Sequence, residues 1–253
     1  MILQILNPLK RRKRISSWIS FPILQSMMVI IILSGCKSES IEETTSETPS
    51  EAMGTVFENP LEYSAGENPT TIESGDWNND NKNDLVVLNP RKQSGTSSLE
   101  DGTIYKFLDN SSLSGNFPFS SNTLIPPTSV WRQHLIAFDF DGDGKDDLIT
   151  TETNLDQVKF FRNSSGDFID NGTVSVGDVP IHLESLDFKE DGAGDLDLSV
   201  VNRNDKTVSL LKNNGGSFTN HDNLSVGNTP LKSISGDWDN DTNTDLAILA
   251  SAD

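Results

Sequence analysis

From residue 70 onward, short apolar runs alternate with polar segments rich in Gly, Asn and Asp. Runs of this kind with many β-branched side chains, bounded by turn-forming residues, are typical of β-strands. No run repeats its apolar residues with the period of an amphipathic helix. The pattern therefore predicts an all-β fold. Its clearest strands are Leu85–Leu88, Leu148–Thr151, Leu196–Val201 and Leu246–Leu249.

Each of these strands lies inside a longer predicted unit. An alternating run, such as His182–Leu186, comes before it, and a turn leads from it to a third strand. Turns with the sequences NSSGD and NNGG then lead to a fourth strand, near Phe168 or Phe218. Four short strands per unit are expected for the blade of a β-propeller. The third strands are predicted at Thr103–Leu108, Gln157–Phe161 and Thr207–Leu211.

The acidic segment before each clear strand repeats in register. Each begins with an Asp, continues with an aromatic residue, and has a second Asp four positions and an Asp–Leu pair eight positions after the first. A period near 50 residues with this internal agreement indicates a repeat architecture. The first residues of the segments are Asp76, Asp139, Asp187 and Asp237, at intervals of 63, 48 and 50 residues.

These segments resemble the FG-GAP/VCBS repeats of integrin alpha-subunit-like β-propellers and of many bacterial surface proteins. The resemblance covers residues 55–253 and implies a β-propeller-type array of about four blades. The last blade is expected to be incomplete, because Asp253 follows soon after its second strand. Residues 55–66, TVFENPLEYSAG, resemble the end of a unit and could close the ring as its outer strand. A partial propeller, a truncated gene and closure by a partner chain are the alternatives.

The resemblance implies that the acidic loops bind Ca²⁺. The chemistry agrees, because Ca²⁺ takes about six to eight oxygen ligands, chiefly carboxylates and carbonyls. Without a cation, the crowded carboxylates would repel one another at a sheet edge. Oxygens at loop positions 1, 3, 5 and 9 are the expected ligands, with the backbone carbonyl of position 7. The candidates are Asp76, Asn78, Asp80, Lys82 and Asp84 in the first loop, Asp139, Asp141, Asp143, Lys145 and Asp147 in the second, and Asp237, Asp239, Asp241, Asn243 and Asp245 in the fourth.

The second loop is the best predicted site, because it has four carboxylates and Gly144 at position 6, where a left-handed turn suits glycine. The fourth loop has the same charge, but Thr242 at position 6 is expected to resist positive φ. The first loop replaces one carboxylate by an amide, and Asn81 tolerates the turn.

The third loop is predicted to bind metal weakly or not at all, because Lys189 stands at position 3 and its ammonium can take the place of a cation. Its remaining acidic candidates are Asp187, Asp191 and Asp195. An EF-hand is excluded for all four loops, since position 12 is apolar or Thr instead of Glu. An acidic turn without metal is the alternative for every loop.

Other chemistry-bearing residues are assigned plain structural roles. The aromatic residue at loop position 2 is predicted to pack against a neighbouring blade rather than to stack on carbohydrate. The three histidines, His134, His182 and His221, have no partner at metal-ligand or catalytic spacing and are expected to be ordinary strand or surface residues.

Residues 1–35 resemble the signal peptide of a bacterial lipoprotein. A basic KRRKR flank precedes an apolar run from Ile15 to Leu33, and LSGC follows at once, with Cys36 as the predicted lipidation site. An uncleaved transmembrane anchor is the alternative. Because Cys36 is the single cysteine, an intramolecular disulfide is excluded. Residues 36–54 would form a disordered acidic Ser/Thr/Glu tether, and residues 55–253 the repeat domain.

The net charge is −19, and beyond residue 35 the chain has 14 basic and 38 acidic residues, a net charge of −24. Such a surface repels nucleic acid and anionic lipid, so the expected membrane contact is through the lipid anchor only. No nucleophile elbow, zinc motif or phosphate loop is present. The sequence therefore predicts a non-enzymatic, calcium-binding lipoprotein of the bacterial cell envelope, facing periplasm or exterior, that binds a protein or glycan ligand. The alternatives are an enzyme or enzyme subunit with its active site at the propeller mouth, and a repeat fragment without independent function.

Overall fold

The computed structural model describes residues 2–6, 17–18, 31–32, 61–66, 68–90, 102–109, 119–125, 130–188 and 195–251. For residues 2–6, 17–18, 31–32, 61 and 119–125 the description covers the backbone only. Every regular element in these ranges is a β-strand, so the predicted all-β fold is confirmed. Within them there is no helix of the length and apolarity that a membrane span requires.

The strands are short, as the sequence predicts. In chain order they are β1 Ile2–Leu6, β2 Ser17–Trp18, β3 Ile31–Ile32, β4 Leu61–Glu62, β5 Thr71–Gly75, β6 Asp84–Asn89, β7 Thr103–Asp109, β8 Phe119–Ile125, β9 Leu135–Phe138, β10 Asp147–Glu152, β11 Gln157–Ser164, β12 Asp167–Ser175, β13 Pro180–Leu186, β14 Asp197–Asn202, β15 Thr207–Asn213, β16 Phe218–Ser225, β17 Pro230–Gly236 and β18 Asp245–Ala250.

The described strands form four antiparallel sheets of four strands each, and one two-stranded pair. The first three sheets are simple meanders, β5 to β8, β9 to β12 and β13 to β16, in which chain neighbours pair. The fourth sheet has the order β17-β18-β1-β2, and β3 pairs with β4. The predicted four-stranded unit is therefore present in the first three sheets.

The second strands of the second and third units are buried on both faces. In β14 every residue from Asp197 to Asn202 is buried, and in β10 every residue from Asp147 to Glu152. Such burial requires a neighbouring sheet on each side, because the side chains of a strand alternate between its two faces. It explains why these strands are continuous apolar runs in the sequence rather than alternating ones.

The core consists of apolar layers between successive sheets. Phe138, Ile149 and Phe160 of the second sheet pack against Leu198 and Phe218 of the third. The layer between the first and second sheets contains Trp77, Val86, Leu88, Ile104, Leu135, Leu148 and Phe161. The layer between the third and fourth contains Leu186, Val201, Val208, Leu246 and Ile248. The sheets thus stack face to face in chain order.

The first strands of successive units lie side by side. β5 contacts β9, β9 and β10 contact β13, and β13 and β14 contact β17. Each first strand leads directly into the acidic loop of its unit. The acidic loops of successive sheets therefore follow one another along the array.

The fourth sheet takes its outer strands from the N-terminus of the chain. Ile2 pairs with Ala250 and Leu6 with Leu246. Residues 55–66 were the expected source of this addition, but Leu61 pairs with Ile32 instead. Of the same stretch, Tyr63 and Ala65 pack on the outer face of the first sheet.

Candidate metal sites

The first residue of each acidic loop folds the loop around its own carboxylate. In the second loop, Asp139 Oδ1 accepts the backbone N–H groups of Gly142 at 2.8 Å and Asp143 at 3.1 Å. Its Oδ2 accepts the N–H of Gly144 at 2.8 Å. The same arrangement recurs where Asp76 accepts from Asp80 and Asn81, and where Asp237 accepts from Asp241 and Thr242. The three loops therefore share one backbone conformation.

Positions 3 and 5 repeat this local bonding on a smaller scale. Each accepts the N–H of the residue two positions later, as Asp141 Oδ1 does from Asp143 at 3.1 Å and Asp143 Oδ1 from Lys145 at 3.0 Å. These are Asx turns, which hold side-chain oxygens on the concave side of the loop. The equivalent acceptors are Asn78, Asp80, Asp239 and Asp241.

The turn requires positive φ at positions 4 and 6. Gly142 and Gly144 adopt 78° and 85° in the second loop. In the fourth loop Thr242 adopts 70° despite its β-branched side chain, which was expected to resist it. The loop bonds therefore outweigh the steric cost at Thr242, and the cost is stored in the fold.

Position 9 is a buried structural anchor as well as a candidate ligand. Asp147 is fully buried, and its Oδ2 accepts the N–H of Phe140 at 3.2 Å while Oδ1 accepts that of Asn163 at 2.8 Å. It thereby ties the loop to the end of the third strand. Asp84 does the same with Trp77 and Asp109, and Asp197 with Phe188 and Asn213.

The third loop differs from its predicted register by two residues. The sequence places Asp195 at the anchor position, but the structure places Asp197 there, at the start of β14. The segment KEDGAGDLDL contains two Asp–Leu pairs, beginning at Asp195 and Asp197. The spacing of the other loops selects the first pair, whereas the fold uses the second. Asp187 is half-buried, and Lys189 and Asp191 lie outside the described residues.

The fourth loop has an incomplete anchor. Asp245 Oδ2 accepts the N–H of Trp238 at 3.0 Å, as in the other loops. Its Oδ1 is buried and has no hydrogen-bond partner among the described residues. In the other three sheets this oxygen receives an N–H from the end of the third strand.

Burial disfavours the ionised form of the anchor carboxylates. Burial raises the pKa of Asp147 to about 6, the backbone hydrogen bonds oppose the rise, and the charges of Asp141 and Asp143 add to it. Burial likewise raises the pKa of Asp84, and that of Asp146 beside Asp139. A bound cation would favour the ionised form of these carboxylates.

Two groups of carboxylates have the separation that one ion requires. Asp139, Asp141 and Asp147 each place an oxygen within 4.8 Å of the others. Two oxygens on opposite sides of a Ca²⁺ ion, each bound at about 2.3–2.6 Å, are about 5 Å apart. The donor set and spacing therefore fit Ca²⁺. The second group is Asp237, Asp239 and Asp241.

The second loop also has its own basic groups. Lys145 Nζ lies 2.8 Å from Asp143 Oδ2, and Arg162 Nε lies 3.3 Å from Asp141 Oδ2. The hydrogen bond from Lys145 lowers the pKa of Asp143. Asn243 replaces Lys145 in the fourth loop, so that loop lacks the lysine countercharge.

The first and second acidic loops each rest on the third-to-fourth strand hairpin of the next sheet. Trp77 packs edge-on against Phe168 with ring centroids 5.7 Å apart, and Phe140 packs against Phe218 at the same distance. Asn213 Nδ2 of the third sheet donates to Phe140 O at 2.8 Å. The predicted packing of the position-2 aromatic residue on a neighbouring sheet is confirmed for these two loops.

At the fourth loop this packing differs. Trp238 is 43% exposed, whereas Trp77 is fully buried. Both indoles lie over the preceding glycine of their own loop, since a Cβ on Gly75 or Gly236 would come within about 3.1 Å of the ring. The fourth loop therefore holds its tryptophan in the same place, and no sheet of the described residues follows to cover it.

The sequence interpretation missed one grouping of side chains. The rings of His134 and His182 are in contact, with centroids 4.2 Å apart and an interplanar angle of 36°. The repeat register contained the signal, because each histidine stands five residues before the first Asp of its loop.

The comparisons with known proteins agree with the repeat pattern. The model of the FG-GAP-like repeat family matches residues 76–150, which contain the first two acidic loops. This match supports FG-GAP-like repeats within residues 76–150. No curated protein matches the chain.

Among solved structures, the chain is similar to a functionally unknown protein from Desulfotomaculum acetoxidans DSM 771. The two are 15% identical, the TM-score is 0.38, and the match covers 71% of this chain and 62% of that one.

Proposed function

We propose that this protein is a calcium-binding β-propeller-type lipoprotein of the bacterial cell envelope that binds a protein or glycan ligand without catalysing a reaction. The carrying observation is the group formed by Asp139, Asp141 and Asp147, whose oxygens have the separation of ligands around one Ca²⁺ ion. The group formed by Asp237, Asp239 and Asp241 supports a second site.

Calcium acts in this proposal as a staple between strands and between sheets. The ion would be held by the two loop residues Asp139 and Asp141 and by Asp147, the anchor at the start of β10. Asp147 is also bonded to Asn163 at the end of β11. An ion at this point stabilises the folded state by mass action, by about 2.7 kcal/mol at a hundred times its Kd.

The propeller-type arrangement is supported by the stacking of successive four-stranded sheets through their first strands. The proposed ligand surface is the long interval between the first two acidic loops, because insertions in repeat arrays map to loops. Residues 91–101, 110–118 and 126–129 of that interval lie outside the described residues. The ligand therefore has to be found by screening protein and glycan arrays.

The proposed anchor is a lipid on Cys36. Processing before Cys36 would remove β1, β2 and β3, and β18 would lose the pairing with Ile2–Leu6. The lipidated chain and the four-stranded form of the fourth sheet are therefore different molecular forms. Mass spectrometry of the N-terminal peptide from a bacterial expression host separates them, and an intact Met1 would contradict the anchor.

Calorimetric titration of the purified chain with Ca²⁺ tests the central claim. Asp141→Asn keeps the Asx turn through its amide oxygen but removes a charged ligand, so we expect at least a tenfold loss of affinity at one site. Asp239→Asn should do the same at the other. Asp170→Asn is the control, because Asp170 is an exposed carboxylate paired with Lys159 outside the loops.

Elemental analysis after equilibration in millimolar Ca²⁺ gives the decisive negative result. A chain that carries no calcium, or equal melting curves with Ca²⁺ and with chelator, would refute the proposed function. Equal affinities for Asp141→Asn and Asp170→Asn would place any bound calcium outside the second loop.

A further inference from the structure

The first strands of the second, third and fourth sheets are joined by two histidines. His134 precedes β9 and His182 lies in β13 at the same repeat position, followed by Lys232 in β17. His134 Nδ1 accepts the backbone N–H of Leu183 at 3.3 Å, and His182 Nδ1 accepts that of Ser233 at 3.4 Å. Each ring therefore accepts a hydrogen bond from the next sheet along the array.

These bonds define the protonation state of both rings. An imidazole nitrogen that accepts a backbone N–H carries no proton, so both neutral rings hold their proton on Nε2. The ring centroids are also only 4.2 Å apart, a spacing at which two imidazolium ions would repel each other. His182 is 7% exposed, so water cannot readily take over the role of the lost acceptor.

We propose that His134 and His182 form an acid-sensitive latch between three successive sheets: a proton on Nδ1 of either ring removes the acceptor for a backbone N–H of the next sheet and releases that contact.

The surroundings favour the neutral rings. Burial lowers the pKa of His134 to about 4, with Lys232 adding to the effect. Burial lowers the pKa of His182 to about 3, and His134 and Lys232 add to it. The closed latch is therefore neutral across the physiological range, and a released histidine titrates near its ordinary pKa of about 6.5.

The other charged groups on the neighbouring elements have their own interactions. Glu184 of β13 accepts the N–H and hydroxyl of Ser235 at 3.2 Å and 3.0 Å. Glu73 of β5, on the far side of β9, has a pKa raised by burial and by Asp146. Arg132, two residues before His134, pairs with Glu152 at 2.9 Å. Lys232 is the cation that lowers the pKa of both His134 and His182.

The direction of the pH effect follows from linkage. The released histidines bind protons below about pH 6.5, and the closed ones do not until about pH 4. The stability that the latch supplies is complete above pH 6.5 and is lost as the pH falls from there toward 4. Each ring should favour the released state by up to roughly tenfold per pH unit in this window.

Amide hydrogen exchange in chelator, measured by NMR from pH 7 to 4.5, tests the latch without the calcium sites. We expect the protection factors of Leu183 and Ser233 to fall roughly tenfold per pH unit below pH 6. Histidine nitrogen shifts should show Nδ1 unprotonated in both rings across this range. Native-state titration of either ring near 6.5, or protection factors that do not change with pH, would overturn the proposal.

The matched variant is His134→Asn with His182→Asn, because the Asn side-chain oxygen can accept the same N–H and does not titrate. It should unfold in denaturant with a midpoint that changes less between pH 7 and 5 than that of the wild type. His221→Asn, on the exposed outer strand β16, should keep the wild-type pH dependence. If the double variant also keeps it, the latch is refuted.

Discussion

At the scale of single residues, the acidic loops are organised by hydrogen bonds from backbone to carboxylate, and each loop concentrates its strain at two left-handed positions. Glycine occupies both positions in the second loop. In the fourth, Asn240 and Thr242 adopt φ of 57° and 70°. A β-branched residue at positive φ is unfavourable by about 1–3 kcal/mol, so the two loops differ in stored strain although the carboxylates at positions 1, 3 and 5 accept corresponding backbone N–H groups in both.

Replacing Thr242 by glycine should therefore stabilise the protein. We expect a gain of about 1 kcal/mol in the free energy of unfolding, since relief of strain exceeds the entropy that glycine adds to the unfolded chain. Thr173→Gly is the control, because Thr173 is an exposed strand residue that pairs with Lys159. This variant should lose about 0.5–1 kcal/mol in the free energy of unfolding. Denaturant unfolding measures both, and a loss at Thr242 would show that its side chain contributes more than its strain.

At the scale of elements, the important contact is between an acidic loop and the hairpin of the following sheet. Gly216 lies in the hairpin between β15 and β16 with φ of 89°, and a Cβ there would stand 2.8 Å from the Cβ of Asp141. Gly166 has the same place in the second sheet, where a Cβ would meet Asn78 at 3.4 Å. At Gly216 glycine is therefore required by the approach of the loop as well as by the turn, whereas at Gly166 the added Cβ would make only an ordinary contact.

Alanine substitutions at Gly216 and Gly215 should distinguish the cost of backbone strain from the cost of the clash with Asp141. Gly216→Ala should lose about 2–4 kcal/mol, because it adds backbone strain and a clash with Asp141. Gly215→Ala also places alanine at positive φ in the same hairpin, at 61°, but its Cβ would meet no atom within 4 Å. We expect about half the loss for Gly215→Ala by thermal or chemical unfolding. Equal losses would mean that loop and hairpin separate without cost.

At the scale of the whole molecule, the described sheets form a directional stack, in which the first and second sheets insert their loop aromatic residue into the next. Trp77 and Phe140 are buried by this insertion, and Trp238 of the fourth sheet is 43% exposed. The apolar layers between sheets follow the same direction. The same motif therefore contributes differently to stability according to its place in the stack.

Truncating the two tryptophans should show this difference. Trp77→Ala should lose about 3–5 kcal/mol, the usual cost of removing a buried aromatic side chain. Trp238→Ala should lose roughly 1 kcal/mol, because much of its indole is already in water. Chemical denaturation of both variants measures the difference. A large loss at Trp238 would indicate that another surface covers it in solution.

Much of this stack follows from the sequence, because continuous apolar strands and in-register acidic turns have local causes. The end of the third loop was misplaced because two Asp–Leu pairs, at Asp195 and Asp197, compete for one position. The contact of His134 with His182 and the pairing of β1 with β18 depend on which strands become neighbours. The repeat register places the two histidines at equivalent positions, but it does not show that their rings meet, and no periodicity links β1 to β18.

The seating of the second loop on the third sheet has a consequence for how ions would be taken up. Phe140 accepts a hydrogen bond from Asn213, and Asp141 touches Gly216, so any ion held by that loop sits at a boundary shared by two sheets. The affinity for an ion at such a boundary depends on both sheets. By thermodynamic linkage, ion binding stabilises the contact between the sheets by the same free energy with which that contact favours ion binding. A destabilising substitution in one sheet would then lower the ion affinity of the loop in the neighbouring sheet.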